Sequence, residues 1–241
     1  MRYYKLLNIN RIIFWLLLII LILSLSLAFA TNKSYLEGFD PSSAQQLNNQ
    51  NPDNLTKILL LGDSILNNNK YVFDGQAVDD YIKQTFKNVF NVAKDDAEIP
   101  DVYSQLNSLS SDLDSKNTYV FLSVGGNDLL KYNYKGKDLG EFMELYAKLV
   151  LAVKARLPSA NLILLGLYYP QGKKYNKYHQ TIQNWNTMVS KLGQKVQGYI
   201  ALDGFITESD DIVSDIEPSE QGGKKIADAI ISFVPSPTIS L

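Results

Sequence analysis

Two short polar clusters could carry covalent chemistry. Gly62-Asp63-Ser64 follows the apolar run Lys57-Ile-Leu-Leu-Leu61, and Gly125-Gly126-Asn127-Asp128 follows the apolar run Tyr119-Val-Phe-Leu-Ser-Val124. A serine at the junction of a strand and a helix exposes its hydroxyl, and the backbone N–H groups around such a junction can hold a developing oxyanion. An asparagine at the end of a neighbouring strand can add a side-chain N–H to the same oxygen. Either cluster alone is an ordinary turn. Together, at the ends of two buried strands, they outline a site for acyl transfer.

The strands and helices that would position these clusters are legible in the pattern of apolar residues. Runs at 57–61, 88–92, 119–124, 161–167 and 198–202 read as strands, the second being the weakest. Helical spacing fills 76–87, 101–113, 138–157, 175–197 and 219–233; in the last of these Ile226, Ala229, Ile230 and Phe233 recur three and four apart. Strands that are apolar throughout are buried on both faces, and their alternation with helices predicts a parallel sheet covered on both sides. In such a sheet ligands sit beyond the carboxyl ends of the strands, where the strand order reverses.

Composition narrows the chemistry. The 241 residues are 46% hydrophobic and 20% charged, as expected for one globular domain plus a tail, and the net charge of −2 gives no basic surface for nucleic acid. There is no cysteine and a single histidine, His179, which excludes disulfides, cysteine nucleophiles, thiolate zinc sites and a His-rich metal site. No motif calls for a cofactor. Residues 12–32 carry no charge, and residues 12–30 approach the ~20 residues that a helix needs to span a bilayer. Arg2, Lys5 and Arg11 precede this segment, which places the N-terminus (1–11) in the cytoplasm and the rest of the chain outside it. The segment is read as a transmembrane signal anchor; the alternative is a signal peptide cleaved after Ala30, where Ala28-Phe29-Ala30 has the small-x-small form. Residues 31–56, rich in Asn, Gln, Ser and Pro, read as a flexible stalk, residues 57–234 as the folded domain, and residues 235–241 as a tail.

The segment Leu60-Leu-Gly-Asp-Ser-Ile-Leu66 resembles the first sequence block of the SGNH/GDSL hydrolases. Ser123-Val-Gly-Gly-Asn-Asp-Leu129 resembles their third block, and Ile216-Glu-Pro-Ser-Glu-Gln-Gly-Gly-Lys-Lys-Ile-Ala227 the last. The resemblance spans about 57–234. It implies a flavodoxin-like α/β/α sandwich with a five-stranded parallel sheet of order 2-1-3-4-5, and hydrolysis of carboxylic esters such as acyl groups on glycans or lipids. It makes Ser64 the nucleophile and its own N–H an oxyanion donor, with Asn127 as the side-chain donor. Two positions depart from the family pattern. The last-block histidine is replaced by Glu217, and the matching aspartate position holds Ser214, with Asp215 next to it and Asp211 three residues before it. In the second block Asp96 stands where the family offers a glycine N–H. Glu217, helped by Asp215, is then either the general base or a brace for the turn before the last helix. A free glutamate titrates near ~4.3 against ~6.5 for histidine, so it is the weaker base unless burial or a neighbouring carboxylate raises it. His179, near the start of a helix on the ligand side, is either a displaced base or a surface residue. Two functions follow from these residues: an esterase working through an acyl-serine, or a module that binds a glycan or acyl group in the same cleft.

Overall fold

The structure is a computed structural model that describes residues 56–73, 75–131 and 139–235. The expected anchor (12–30), the stalk up to 55 and the tail beyond 235 lie outside the described residues. No helix among the described residues is long and apolar enough to cross a membrane.

Five parallel strands form the central sheet: β1 (Lys57–Gly62), β2 (Asn88–Asn91), β3 (Thr118–Ser123), β4 (Asn161–Leu165) and β5 (Gly198–Ile200). Their order is β2-β1-β3-β4-β5, as the resemblance implies. The six helices among the described residues are α1 (Val78–Lys83), α2 (Val102–Asn107), α3 (Gly126–Lys131), α4 (Leu139–Arg156), α5 (His179–Gly193) and α6 (Glu220–Phe233). Helix α1 packs against α6, while α4 packs against α2 and α5.

The sheet is held by burial of its central strands. Ile58, Leu59, Leu60 and Leu61 of β1 are wholly inaccessible, as are Val120, Phe121 and Leu122 of β3, and Ile163 and Leu164 of β4. Each such side chain contributes roughly 1.5–3 kcal/mol on leaving water. β2, at the edge, is only partly buried, which explains its weaker pattern. Helix α6 buries Ile226, Ala227 and Ile230, and its first turn is capped by the Ser219 hydroxyl, which accepts the Gly222 N–H.

Several helices are shorter than their apolar spacing predicts. The stretch 101–113 is a helix only to Asn107, followed by a separate 3-10 turn at Ser111–Leu113. Residues Lys173–Tyr178 form a 3-10 segment ahead of α5, so that helix begins at His179 rather than at 175. Two elements have no counterpart in the sequence reading: α3 and a small antiparallel hairpin of β6 (Ile212–Val213) and β7 (Glu217–Pro218). Both are too short to show a period.

The ends of β1 and β3 lie side by side because Gly62 pairs with Ser123. Gly62 has φ +134°, and a Cβ on it would lie 1.6 Å from the Ser123 carbonyl oxygen, so only glycine fits. The carboxamide of Gln105, buried in α2, clamps the same residue: Oε1 accepts the Gly62 N–H at 2.8 Å and Nε2 donates to the Gly62 carbonyl at 2.7 Å. Asn68, fully buried in the loop after β1, makes a longer-range clamp. Its Oδ1 accepts the Val78 N–H at 2.9 Å, and its Nδ2 donates to the Pro218 carbonyl at 3.2 Å. The loop that carries Ser64 is thereby tied to the hairpin that carries Glu217.

An unpaired buried polar group costs about 1–3 kcal/mol. Asn68→Leu strands both the Val78 N–H and the Pro218 carbonyl, and should lower the unfolding free energy by roughly 2–4 kcal/mol in urea titrations. An unchanged midpoint would mean that the two loops are held by something else.

Candidate active site

Ser64 lies one residue past the Asp63 turn, in which the Asp63 carbonyl accepts the N–H groups of Leu66 and Asn67 at 3.1 and 3.2 Å. The Asp63 side chain accepts the Ile65 N–H at 3.1 Å. The chain tightens there into a helical turn and lifts Ser64 to the carboxyl end of the sheet. Ser64 is 7% exposed, and among the described residues no internal acceptor takes its N–H. Asp63 beneath it is buried. Burial pushes its carboxyl well above the usual range; the Ile65 N–H opposes this, and the charges of Glu217 and Asp128 add to it.

Asn127 reaches the same place from the end of β3. Gly125, at φ +117°, brings the backbone against the Trp185 ring, where a Cβ would approach Cζ2 to 2.5 Å. Trp185 is itself wedged edge-on against Tyr146, with ring centroids 5.2 Å apart. Asn127 Nδ2 donates to the Ala97 carbonyl at 3.0 Å, which fixes the amide and leaves its second N–H for a ligand. The next residue, Asp128, accepts the Ile99 N–H through its two oxygens at 3.3 and 3.1 Å, and burial pushes its carboxyl up to about 6. Asp128 thus ties the segment after β2 to α3.

Glu217 opens β7. The hairpin turns through Ser214 and Asp215, with φ of 53° and 68°. The Tyr168 hydroxyl donates to the Ile216 carbonyl at 2.6 Å, so the backbone on both sides of Glu217 is tethered. Glu217 is 6% exposed, and its Oε2 is buried without a hydrogen bond. Burial raises its pKa above the ordinary carboxylate value. The Ser64 and Tyr71 hydroxyls are near enough to favour the charged form and pull the other way, while the charges of Asp95 and Asp96 add to the rise.

Ser64, Asn127 and Glu217 line one pocket, with about 470 Å³ of empty space including its open mouth. Its other walls are largely apolar, among them Leu129, Leu130, Leu167 and Ile182. The two clusters meet at this pocket, and Glu217, from the last-block position, lines it with them.

Four further residues singled out in the sequence lie elsewhere. Asp96 is exposed, outside the pocket, and its N–H engages the Asp95 carboxylate. Its φ of 60° is the left-handed backbone that a glycine supplies most easily, which accounts for its place in the resemblance. Asp215 pairs with Lys174 at 2.9 Å instead of approaching Glu217, and serves as a turn residue. His179 is exposed at the start of α5, its ring 5.1 Å from that of Tyr169 and outside the pocket. Asp211, wholly buried, works as an anchor. Burial opposes its charge, but Lys225 at 2.8 Å and the N–H groups of Thr207 and Glu208 outweigh burial and hold its carboxyl below the usual range.

The residues that sequence reasoning missed are Gln105, Asn68 and Tyr71. Gln105 lies on the buried face of α2 with Val102 and Leu106, and an amide at an apolar-face position was a readable signal. Asn68 lies within a run of three asparagines and Tyr71 in an irregular loop, and neither has a local signature.

Known proteins share this fold. In structure the chain is similar to Axe2, an acetylxylan esterase from Geobacillus stearothermophilus, with 15% identity and a TM-score of 0.57 over 76% of this chain and 95% of that one. It is also similar to a member of the lipolytic protein G-D-S-L family from Veillonella parvula, with 15% identity and a TM-score of 0.61 over 73% and 97% of the two chains. At that identity the likeness establishes the fold alone. No curated protein matches the chain in sequence. Residues 58–230, nearly all of the described domain, match the family described as GDSL-like Lipase/Acylhydrolase, and the chain belongs to that family.

Proposed function

We propose that the protein is a serine esterase that hydrolyses small carboxylic esters or acyl groups on glycans or lipids through an acyl-serine intermediate. The observation that carries this reading is the meeting of Ser64 and Glu217 in one largely apolar pocket. Ser64 Oγ attacks the ester carbonyl carbon, and Glu217 takes the hydroxyl proton. The Ser64 N–H and the free N–H of the Asn127 amide hold the oxyanion. The tetrahedral adduct collapses, the alcohol leaves with the proton from Glu217, and an acyl-serine remains. Water then attacks the acyl carbon and gives its proton to Glu217, and the acid leaves as Ser64 recovers its proton. Asp96 has its N–H committed to Asp95 and is left out of the donor set.

A carboxylate serves here because it is buried. Burial narrows the gap of about two pKa units that separates free glutamate from histidine. The apolar walls keep water from screening the interaction with the nucleophile. A specific observation also favours a second reading, a pocket that binds an acyl group without turning it over: the family's histidine position holds glutamate.

We also propose that residues 12–30 tether the domain on the extracytoplasmic face of a membrane, or direct its secretion if the chain is cleaved after Ala30. The support is the uncharged run flanked by Arg2, Lys5 and Arg11. Protease added to intact cells should digest the domain; protection until the membrane is breached would reverse the orientation.

Ser64→Ala should abolish both labelling by a fluorophosphonate and hydrolysis of short p-nitrophenyl esters. Glu217→Gln should reduce turnover by ~10²–10⁴-fold, the range of general-base assistance. The base must be charged to act and its pKa is raised, so wild-type activity should fall with acid at a midpoint above the ordinary glutamate value, and that limb should vanish in Glu217→Gln. An unlabelled Ser64 with no turnover would favour the binding pocket.

A further inference from the structure

Two kinds of wall meet at Ser64. One is the hairpin that brings Ile216 and Glu217, held over β1 where Asn68 takes the Pro218 carbonyl. The other is apolar and comes from the β3 and β4 side of the sheet. It consists of Leu129 and Leu130 of α3, Leu167 after β4 and Ile182 of α5. These parts form one packed surface. The Asn186 carboxamide of α5 clamps the Leu167 backbone, accepting its N–H at 2.8 Å and donating to its carbonyl at 2.7 Å. The Tyr178 hydroxyl, just ahead of α5, donates to the Leu130 carbonyl at 3.4 Å.

Gly126 lines the pocket beside this wall, and its backbone does not require glycine. Gly62 and Gly125 have positive φ, and a Cβ on either would clash. Gly126 has no positive φ. Beyond its chain neighbours and its own helix backbone, a Cβ there would meet only Leu167 Cδ2 among the described residues, at 3.6 Å, an ordinary contact. Glycine is less favourable than alanine inside a helix, so the fold gains nothing from it at this position. What it supplies is open space directly beside Asn127. Apolar walls with a small residue are common in cores. This one faces about 470 Å³ of empty space, open mouth included, next to the nucleophile. That size falls within the roughly 300–1,000 Å³ of small-ligand pockets.

An ester bound for attack must place three groups around its carbonyl carbon. The oxygen goes to the Ser64 N–H and the Asn127 amide. The alcohol goes to Glu217, which returns the proton to it. The acyl chain is left to the wall of Leu129, Leu130, Leu167 and Ile182. Those four side chains offer no hydrogen bond, so they match methylene groups and leave an acetyl group with apolar space unfilled. We propose that this wall is an acyl-chain subsite that favours linear chains from butanoyl to octanoyl over acetyl, and that Gly126 is the residue that sets the length it accepts. The proposal rests on the serine-esterase reading of the pocket.

The test compares the full-length chain with its Gly126→Ala and Gly126→Leu variants on two isomeric esters, ethyl hexanoate and hexyl acetate. The isomers contain the same atoms and carry the long chain on opposite sides of the carbonyl. The wild type should hydrolyse ethyl hexanoate with a kcat/KM about tenfold or more above that for hexyl acetate, since each methylene that leaves water contributes about three- to fourfold. p-Nitrophenyl hexanoate should exceed p-nitrophenyl acetate in the same way. Gly126→Leu should lower that hexanoate-to-acetate ratio by about tenfold or more, and Gly126→Ala by a smaller factor. Equal rates on the two isomers, a preference for hexyl acetate, or a ratio that stays at the wild-type value in the variants overturns the proposal. Gly126→Ala favours the helix and supplies the answer even if Gly126→Leu does not fold. If no ester is hydrolysed, or if hydrolysis survives Ser64→Ala, the esterase reading fails and binding decides the subsite. In protein labelled with ¹³C at its Leu and Ile methyl groups, ethyl hexanoate should shift the signals of Leu129, Leu167 and Ile182 at concentrations where ethyl acetate does not. Gly126→Ala and Gly126→Leu should weaken that response. Signals that stay in place, or that respond equally to both esters, overturn the subsite.

Discussion

Glu217 brings a carboxylate into a pocket whose walls include Leu129, Leu167 and Ile182, beside a serine that is itself almost wholly covered. Burying a charge without full pairing is unfavourable, and the unsatisfied Oε2 records how incomplete the pairing is. The same desolvation makes the group a better proton acceptor, because the neutral acid that forms on proton transfer is the form the pocket prefers. Side chains from two other loops hold the backbone on either side of this residue.

Holding such a group requires restraint from several directions. The hairpin fixes the backbone of Glu217, Tyr168 ties the residue before it, Asn68 ties the residue after it, and Asp211 anchors the base of the hairpin to Lys225 of α6. Across the pocket, Gln105 fixes Gly62 and Asp128 fixes the segment that holds Asn127 in place. Each of these side chains meets a backbone group or a fixed charge, so positions are set by the fold and not by the flexible ends of side chains. In the proposed reaction, that rigidity would let the donors face the oxyanion without reorganising.

Much of this was legible in the sequence, for identifiable reasons. Strands that are apolar throughout gave the parallel sheet, and the small polar clusters after the first and third strands stand where the strand order reverses. Ser64 and Asn127 could be found because strand ends are local features. Glu217 could be located only through its place before Pro218 in the last block, and its closeness to Ser64 is a matter of tertiary folding. Asp215 was read as a site residue because it is acidic and next to the aspartate position, and Asp96 because it stands where the family offers a glycine N–H. Both turned out to be left-handed turn residues, one directed at Lys174 and the other with its N–H on Asp95. Backbone dihedrals at single non-glycine residues leave little trace in a sequence. Tyr71 was invisible for a related reason, since its hydrogen-bond partner, Asp95, lies 24 residues away along the chain.

The most direct measurement is a crystal structure of the protein phosphonylated at Ser64, in which the phosphoryl oxygen stands in for the oxyanion. That oxygen is expected within hydrogen-bond distance of the Ser64 N–H and Asn127 Nδ2, with the Glu217 carboxyl within reach of Ser64 Oγ on the opposite side. A phosphoryl oxygen directed away from Asn127, or a Glu217 side chain turned out of the pocket, would contradict a carboxylate acting in place of the histidine.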